Sequence, residues 1–119
     1  EGYEYGSFHF LEPSFLHNYT DSTILLSLLY KKTYYRYEMQ KEIKRLCNGK
    51  VEFKEAAVYI ALKRLEKNGF ASSAWDDSSS GNRRKQYGIT DKGIGRLRDK
   101  IEEWEFFKKQ IDLFLEGVK

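Results

Sequence analysis

Lys54-Glu55-Ala56-Ala57-Val58-Tyr59-Ile60-Ala61-Leu62-Lys63-Arg64-Leu65-Glu66-Lys67-Asn68-Gly69 carries Val58, Ala61, Leu62 and Leu65 at i, i+3, i+4 and i+7. That spacing places four apolar side chains on one face of a helix over 54–68. Asn68-Gly69 supplies its stop, because both residues tolerate the left-handed turn that ends helices. At about 100° per residue, Ala56, Tyr59, Ile60, Lys63 and Lys67 fall on the opposite face. A tyrosine and an isoleucine set between lysines make that outward face a candidate contact surface.

Working upstream, Met39, Ile43, Leu46 and Cys47 stand at i, i+4, i+7 and i+8, which predicts a second amphipathic helix over 35–48 with Asn48-Gly49 as its end. Before it, Asp21-Ser22-Thr23 reads as a helix cap leading into the apolar run Ile24-Leu25-Leu26-Ser27-Leu28-Leu29-Tyr30, a buried first helix over 21–31. Working downstream, residues 70–76 and 83–89 read as two strands around the polar turn Asp77-Ser78-Ser79-Ser80-Gly81-Asn82. The second strand opens on three bases, Arg83, Arg84 and Lys85. Thr90-Asp91 then caps a long helix reaching about residue 116. Its apolar residues are Ile94, Leu97, Ile101, Trp104, Phe107, Ile111, Phe114 and Val118. Such a helix measures about 40 Å, more than a domain of this size can cover. Part of its apolar face must therefore meet something else, and a second copy of the chain is the simplest candidate.

The chain has 119 residues, 40% hydrophobic and 33% charged, which suits one folded domain and excludes a disordered or membrane-embedded chain. No apolar run approaches the roughly 18 residues that span a bilayer. The first 20 residues lack Lys and Arg, so no secretory pattern opens the chain. One cysteine, Cys47, excludes an internal disulfide and a cysteine-rich zinc site, and a cytoplasmic location is expected. Aromatics reach 16%, and six of them (Tyr3, Tyr5, Phe8, Phe10, Phe15 and Tyr19) crowd residues 1–20, an expected aromatic arm that packs on the body or on a second subunit.

The net charge of +3 hides a division. Residues 1–30 hold four acids and no base, residues 31–100 hold 18 bases and 9 acids, and residues 101–119 hold three bases and five acids. A basic middle between acidic ends points to an anionic partner for the middle, with a merely solvated charged face as the alternative.

Helix, helix, helix, hairpin, long helix is the layout of a winged helix-turn-helix followed by a C-terminal dimerisation helix. The fold class expected is mainly α with a β-hairpin wing (α+β). The expected divisions are an arm over 1–20, the winged domain over 21–90 and the dimerisation helix over 91–119. In this layout the third helix enters the major groove of DNA and the hairpin touches the flanking backbone. The chemistry agrees: Tyr59, Lys63 and Lys67 lie on the outward face of the third helix, and Arg83, Arg84 and Lys85 lie on the hairpin. Lys54 and the helix start around Ala56 would face phosphates through backbone N–H groups.

Ala57 to Phe70 resembles the recognition-helix signature of the PadR family of bacterial transcriptional regulators, Leu-Tyr-Pro-x-Leu-x-Arg-Leu-Glu-x-x-Gly-Leu. Tyr37-Glu38 resembles the Gly-Tyr-Glu that opens the family's second helix. Trp75, the Gly81 to Tyr87 segment with Arg84-Lys85, and Ile89-Thr90 with Gly93 resemble the family's wing. The resemblance covers about residues 22–116. It implies a homodimeric DNA-binding repressor of the short subfamily, whose C-terminal helix crosses to the partner subunit. It also implies that Tyr59, Arg83, Arg84 and Lys85 contact double-stranded DNA. The sequence departs from the pattern in three places. Lys54-Glu55-Ala56-Ala57 replaces Ser-x-Gly-Thr, which removes phosphate-binding hydroxyls and adds an acid that repels phosphate. Ile60 replaces Pro, and Arg36 replaces the helix-opening Gly.

In multidrug-binding relatives a Trp at the place of Trp104 lines a pore between subunits and stacks on flat aromatic ligands. The resemblance therefore makes Trp104 and Phe107 candidate contacts for a small aromatic effector, with dimer packing as the plainer role. Trp75 is expected to be a structural strand residue and Cys47 an inert core thiol. His9 and His17 lack partners at metal spacing. There is no nucleophile motif and no phosphate loop, so no enzyme, no metal and no cofactor is expected. The alternative function is a winged-helix protein–protein interaction module with weak or no DNA binding, suggested by the Lys54–Ala57 departure and by Ile60 on the outward face.

Overall fold

The computed structural model describes residues 20–77 and 83–118. The aromatic arm and the tip of the hairpin turn, on which several of the expectations above fall, lie outside the described residues.

A first helical segment, α1, covers residues 20–31: a wide π-type stretch over Thr20–Leu25 runs into a regular α-helix over Leu26–Lys31. Asp21-Ser22-Thr23 thus lies inside the helical backbone instead of capping it. The local preference of these residues for a cap is weak beside the burial of Leu25, Leu26, Leu28 and Leu29 that follows. After two lysines comes a short strand that the periodicity did not show, β1 (Tyr34–Tyr35). The second helix, α2 (Arg36–Leu46), starts at once. Glu38 accepts the Tyr35 backbone N–H at 2.9 Å, satisfying a donor at the helix entrance.

Met39 and Ile43 are buried as expected, but Leu46 is 51% exposed and Cys47 is only half-buried. Both have the right phase. The helix ends there, however, and among the described residues none covers its last turn enough to bury Leu46. Asn48 takes a left-handed φ of 52° and Gly49 one of 77°. The Gly49 N–H bonds the Lys44 carbonyl at 2.8 Å, closing the C-terminal turn.

The third helix, α3 (Glu55–Lys67), buries Val58, Ala61, Leu62 and Leu65, all four of the side chains its spacing selects. Its start is positioned by Gln40 of α2, whose Nε2 donates to the Phe53 carbonyl at 2.7 Å. It ends on the same device as α2: Gly69 sits at φ 79°, and the Phe70 N–H bonds the Leu65 carbonyl at 2.8 Å.

The hairpin strands are β2 (Ala71–Asp76) and β3 (Arg84–Ile89), paired antiparallel from Ala71↔Ile89 to Asp76↔Arg84. Tyr34 and Tyr35 add to the other edge of β3, opposite Tyr87 and Gln86, so the sheet has three strands in the order β1-β3-β2. Pairing fixes the faces. Tyr34 and Tyr87 point into the core with α1 and α3, whereas Tyr35, Asp76 and Arg84 share the other face.

Thr90 caps the last helix, α4 (Asp91–Leu115): its Oγ1 accepts the Gly93 N–H at 3.0 Å and donates to the Gly69 carbonyl at 2.6 Å. One hydroxyl therefore joins the end of α3 to the start of α4. Gly93 is buried against the Phe70 carbonyl, where no larger residue fits. Leu97 and Lys100, which pairs with Glu103 at 2.8 Å, are buried side chains in the first half of α4. Beyond them Ile101, Trp104, Phe107, Ile111 and Phe114 are all exposed.

Candidate nucleic-acid interface

The head of α3 presents the first backbone N–H groups of a helix, which have no intrahelical partner. Lys54 is its N-cap residue and contributes no side-chain cap. Ala56 is exposed in the first turn, and Tyr59 stands one turn further along the same face, 40% exposed. Two cations flank the Tyr59 ring. The Arg36 guanidinium lies 5.0 Å from its centroid and the Lys63 ammonium 5.4 Å. Lys63 Nζ also reaches the Tyr59 hydroxyl at 3.5 Å. Arg36, the first residue of α2, bonds Glu55, the first residue of α3, through Nη2 and Oε2 at 3.1 Å. The acid expected to repel phosphate is thus held by the arginine that stands in place of the family's glycine.

The wing meets this surface through an aromatic clamp. The Arg84 guanidinium stacks over Tyr35 at 4.0 Å, and its Nη1 donates to the Tyr37 hydroxyl at 2.8 Å. Tyr35 and Tyr37 stack with an interplanar angle of 9°. The Tyr35 hydroxyl donates to Asp76 across the sheet face. That hydrogen bond, then burial, raises the Tyr35 pKa above the ordinary tyrosine range. On the other sheet face, Arg83 and Lys85 lie 4.8 Å and 5.5 Å from the Trp75 ring, and Arg83 also bonds Asp77 at 2.7 Å. Trp75 is indeed a strand residue, but it lies exposed beneath two cations and not in the core.

Together these elements line one open cleft of about 510 Å³. Arg36, Arg83, Arg84 and Lys85 supply its cations, Tyr35, Tyr37, Tyr59, Trp75 and Tyr87 its rings, and Glu55 its carboxylate. Of the residues selected from sequence, Tyr59, Arg83, Arg84 and Lys85 converge here, with Lys63 against Tyr59. Lys54 and Ala56 lie at the adjoining helix head. Lys67 is exposed at the far end of α3 and does not line the cleft; 13 residues of helix put it about 20 Å from Lys54. Trp104 and Phe107 lie apart from the cleft on α4, their rings 6.4 Å from each other. Sequence reasoning missed Tyr35, Arg36 and Tyr37 as site residues. Their signal was the run Tyr34-Tyr35-Arg36-Tyr37, basic and aromatic side chains interleaved.

The family model for the transcriptional regulator PadR-like family matches residues 25–99. The chain belongs to this family. PadR-like proteins are transcriptional regulators and not enzymes. A solved transcriptional regulator from Clostridium thermocellum is 38% identical, with a TM-score of 0.78 over 87% of this chain and 99% of its own. An uncharacterised protein of Lysinibacillus sphaericus is 38% identical over 97 residues, 82% of this chain and 89% of its own. Bacillus subtilis PadR, solved with operator DNA, shares the fold alone: 24% identity and a TM-score of 0.61 over 72% of this chain and 46% of its own. The fold class is the expected one, a PadR-like winged helix with one strand more than the hairpin alone. Among the described residues no helix is long and apolar enough to cross a membrane, and no three His, Cys, Asp or Glu side chains are grouped to hold a metal.

Proposed function

We propose that this PadR-like regulator is a cytoplasmic homodimeric repressor that binds a pseudo-palindromic operator in double-stranded DNA. Residues 21–90 form the DNA-binding unit and 91–119 the dimerisation helix. The observation that carries the reading is the convergence of Tyr59 on α3 with Arg83, Arg84 and Lys85 on the wing around one cleft. Cations on the wing beside a helix that fits the major groove suit the phosphate backbone flanking that groove. Bacillus subtilis PadR, which shares this fold and was solved with operator DNA, supports the reading. Dimerisation is supported by the exposed stripe from Ile101 to Phe114, which a second copy would cover. Trp104 and Phe107 in that stripe offer a stacking surface for a small aromatic effector, whose binding between subunits would change the half-site spacing.

The test is a salt titration of duplex binding by the full chain. The logarithm of the binding constant is expected to fall linearly with the logarithm of salt, with a slope of about −0.9 per phosphate neutralised. Absence of duplex binding at low salt, or affinity indifferent to salt, sinks the proposal. It would favour the second reading, a protein-interaction module, for which Ile60 is the relevant observation: it stands 51% exposed at the centre of the α3 face.

A further inference from the structure

Arg36 and Glu55 lie at the heads of two different helices, yet they meet at 3.1 Å on the outer surface of the fold. Their side chains remain 37% and 65% exposed. The pair sits beside Tyr59, whose ring supports Arg36 from one side. Arg36 stands where the PadR pattern has Gly, and Glu55 falls on the unrestricted position of the segment Lys54-Glu55-Ala56-Ala57. Alone, Glu55 would repel the phosphate backbone and Arg36 would attract it. Joined, they form a neutral unit with donors and acceptors side by side.

Such a unit is poorly suited to phosphate, which offers acceptors only. It is well suited to the major-groove edge of a G·C pair. Guanine presents N7 and O6 as adjacent acceptors, and cytosine presents its N4 amino group as a donor. A guanidinium fork fits the first and a carboxylate the second. An A·T pair sets the adenine amino donor where guanine O6 would stand, facing the arginine donors. We propose that the Arg36–Glu55 pair is a specificity-determining element that reads one G·C pair in each half-site. Arg36 donates to guanine, Glu55 accepts from cytosine, and Tyr59 positions the guanidinium. This rests on the DNA-binding reading above and adds to it a base preference.

The experiment selects bound duplexes from a randomised pool with the full wild-type chain and with Arg36→Ala, Arg36→Lys and Glu55→Ala. Affinities are then measured on matched duplexes that differ only at the assigned pair. The wild type is expected to enrich a fixed G·C in each half-site and to prefer it over A·T by roughly tenfold or more. Arg36→Ala and Glu55→Ala should lose that preference at this position while keeping the rest of the selected sequence. Arg36→Lys keeps the charge but not the planar fork, and should lose the preference with an unchanged salt slope. Equal melting temperatures exclude a folding defect. If the variants retain the wild-type preference, or the wild type binds duplex without enriching a G·C pair, the pair reading is overturned and DNA binding stands. If the wild type binds no duplex, both readings fall.

Discussion

Gly93→Ala and Gly95→Ala place the same methyl group at two positions of α4 only two residues apart, and the structure sets opposite outcomes for them. A Cβ at Gly93 would stand 2.1 Å from the Phe70 carbonyl oxygen and 2.8 Å from Ile89 Cγ1. The carbonyl cannot simply turn away, because it accepts the Thr90 N–H at 3.1 Å in the joint between α3 and α4. Relief requires α4 to lift, which puts the Thr90 bonds to Gly93 and Gly69 at risk. Overpacking of this kind costs about 1–3 kcal/mol, and each weakened hydrogen bond adds about 0.5–1.5 kcal/mol. Alanine's advantage over glycine in a helix returns about 1 kcal/mol. The net expectation for Gly93→Ala is a loss of about 1–5 kcal/mol. At Gly95 a Cβ meets nothing within 4 Å, so only the helix preference remains, and the gain is up to about 1 kcal/mol.

The assay is urea unfolding, with thermal melts alongside, at one fixed protein concentration, since self-association makes melting temperature concentration-dependent. At about 4 °C per kcal/mol for a chain of this size, the two variants should melt roughly 10 °C apart on opposite sides of the wild type. A Gly93→Ala protein as stable as the wild type, or both variants moving in the same direction, would refute the close approach of α4 to Phe70.

Three further outcomes are expected. Tyr59→Ala should weaken duplex binding about tenfold, because the ring supports both Arg36 and Lys63; a hydrogen bond or stacking contact of this kind is worth about 1–2 kcal/mol. Tyr59→Phe, which loses only the hydroxyl, should cost less, and fluorescence anisotropy on labelled duplex separates the two. Ile111→Glu sets a charge in the exposed stripe of α4, and should shift sedimentation from dimer to monomer while the monomer keeps its helix content. Burial raises the Tyr87 pKa, with Glu66 adding to the rise. The folded state therefore holds this proton above the pH at which the unfolded chain releases it. Stability is full below about pH 10, the ordinary tyrosine value, and falls as pH rises through the folded value. Tyr87→Phe should make that alkaline decline shallower in chemical unfolding measured from pH 8 to 11.

The helical spacing of Val58, Ala61, Leu62 and Leu65, the Asn-Gly stops and the Thr90 cap are local properties, each set by residues within a few positions of one another. They sufficed to order the helices, to find the hairpin and to mark the face that carries Tyr59 and Lys63. The overlong α4 was also legible, because its length and spacing need no knowledge of what it packs on. Leu46 shows where phase alone misleads: the spacing puts it on the core side, but only neighbouring elements decide how far the core extends along a helix. β1 was invisible for a related reason. Two residues carry no period, and Tyr34–Tyr35 becomes a strand only because β3 offers it a free edge.

Sequence by itself thus determined the elements, the outward face of α3, the basic wing and the length and apolar stripe of α4, since each follows from composition or spacing along one segment. Tertiary structure alone decided that Arg36 meets Glu55, that Arg84 packs on Tyr35 and bonds Tyr37, and that Lys67 stands away from the cleft. These are pairings between residues 19, 47 or more positions apart in the chain, or separations along a rigid helix. Charge and ring stacking act through space, and no local pattern records which distant side chain will arrive.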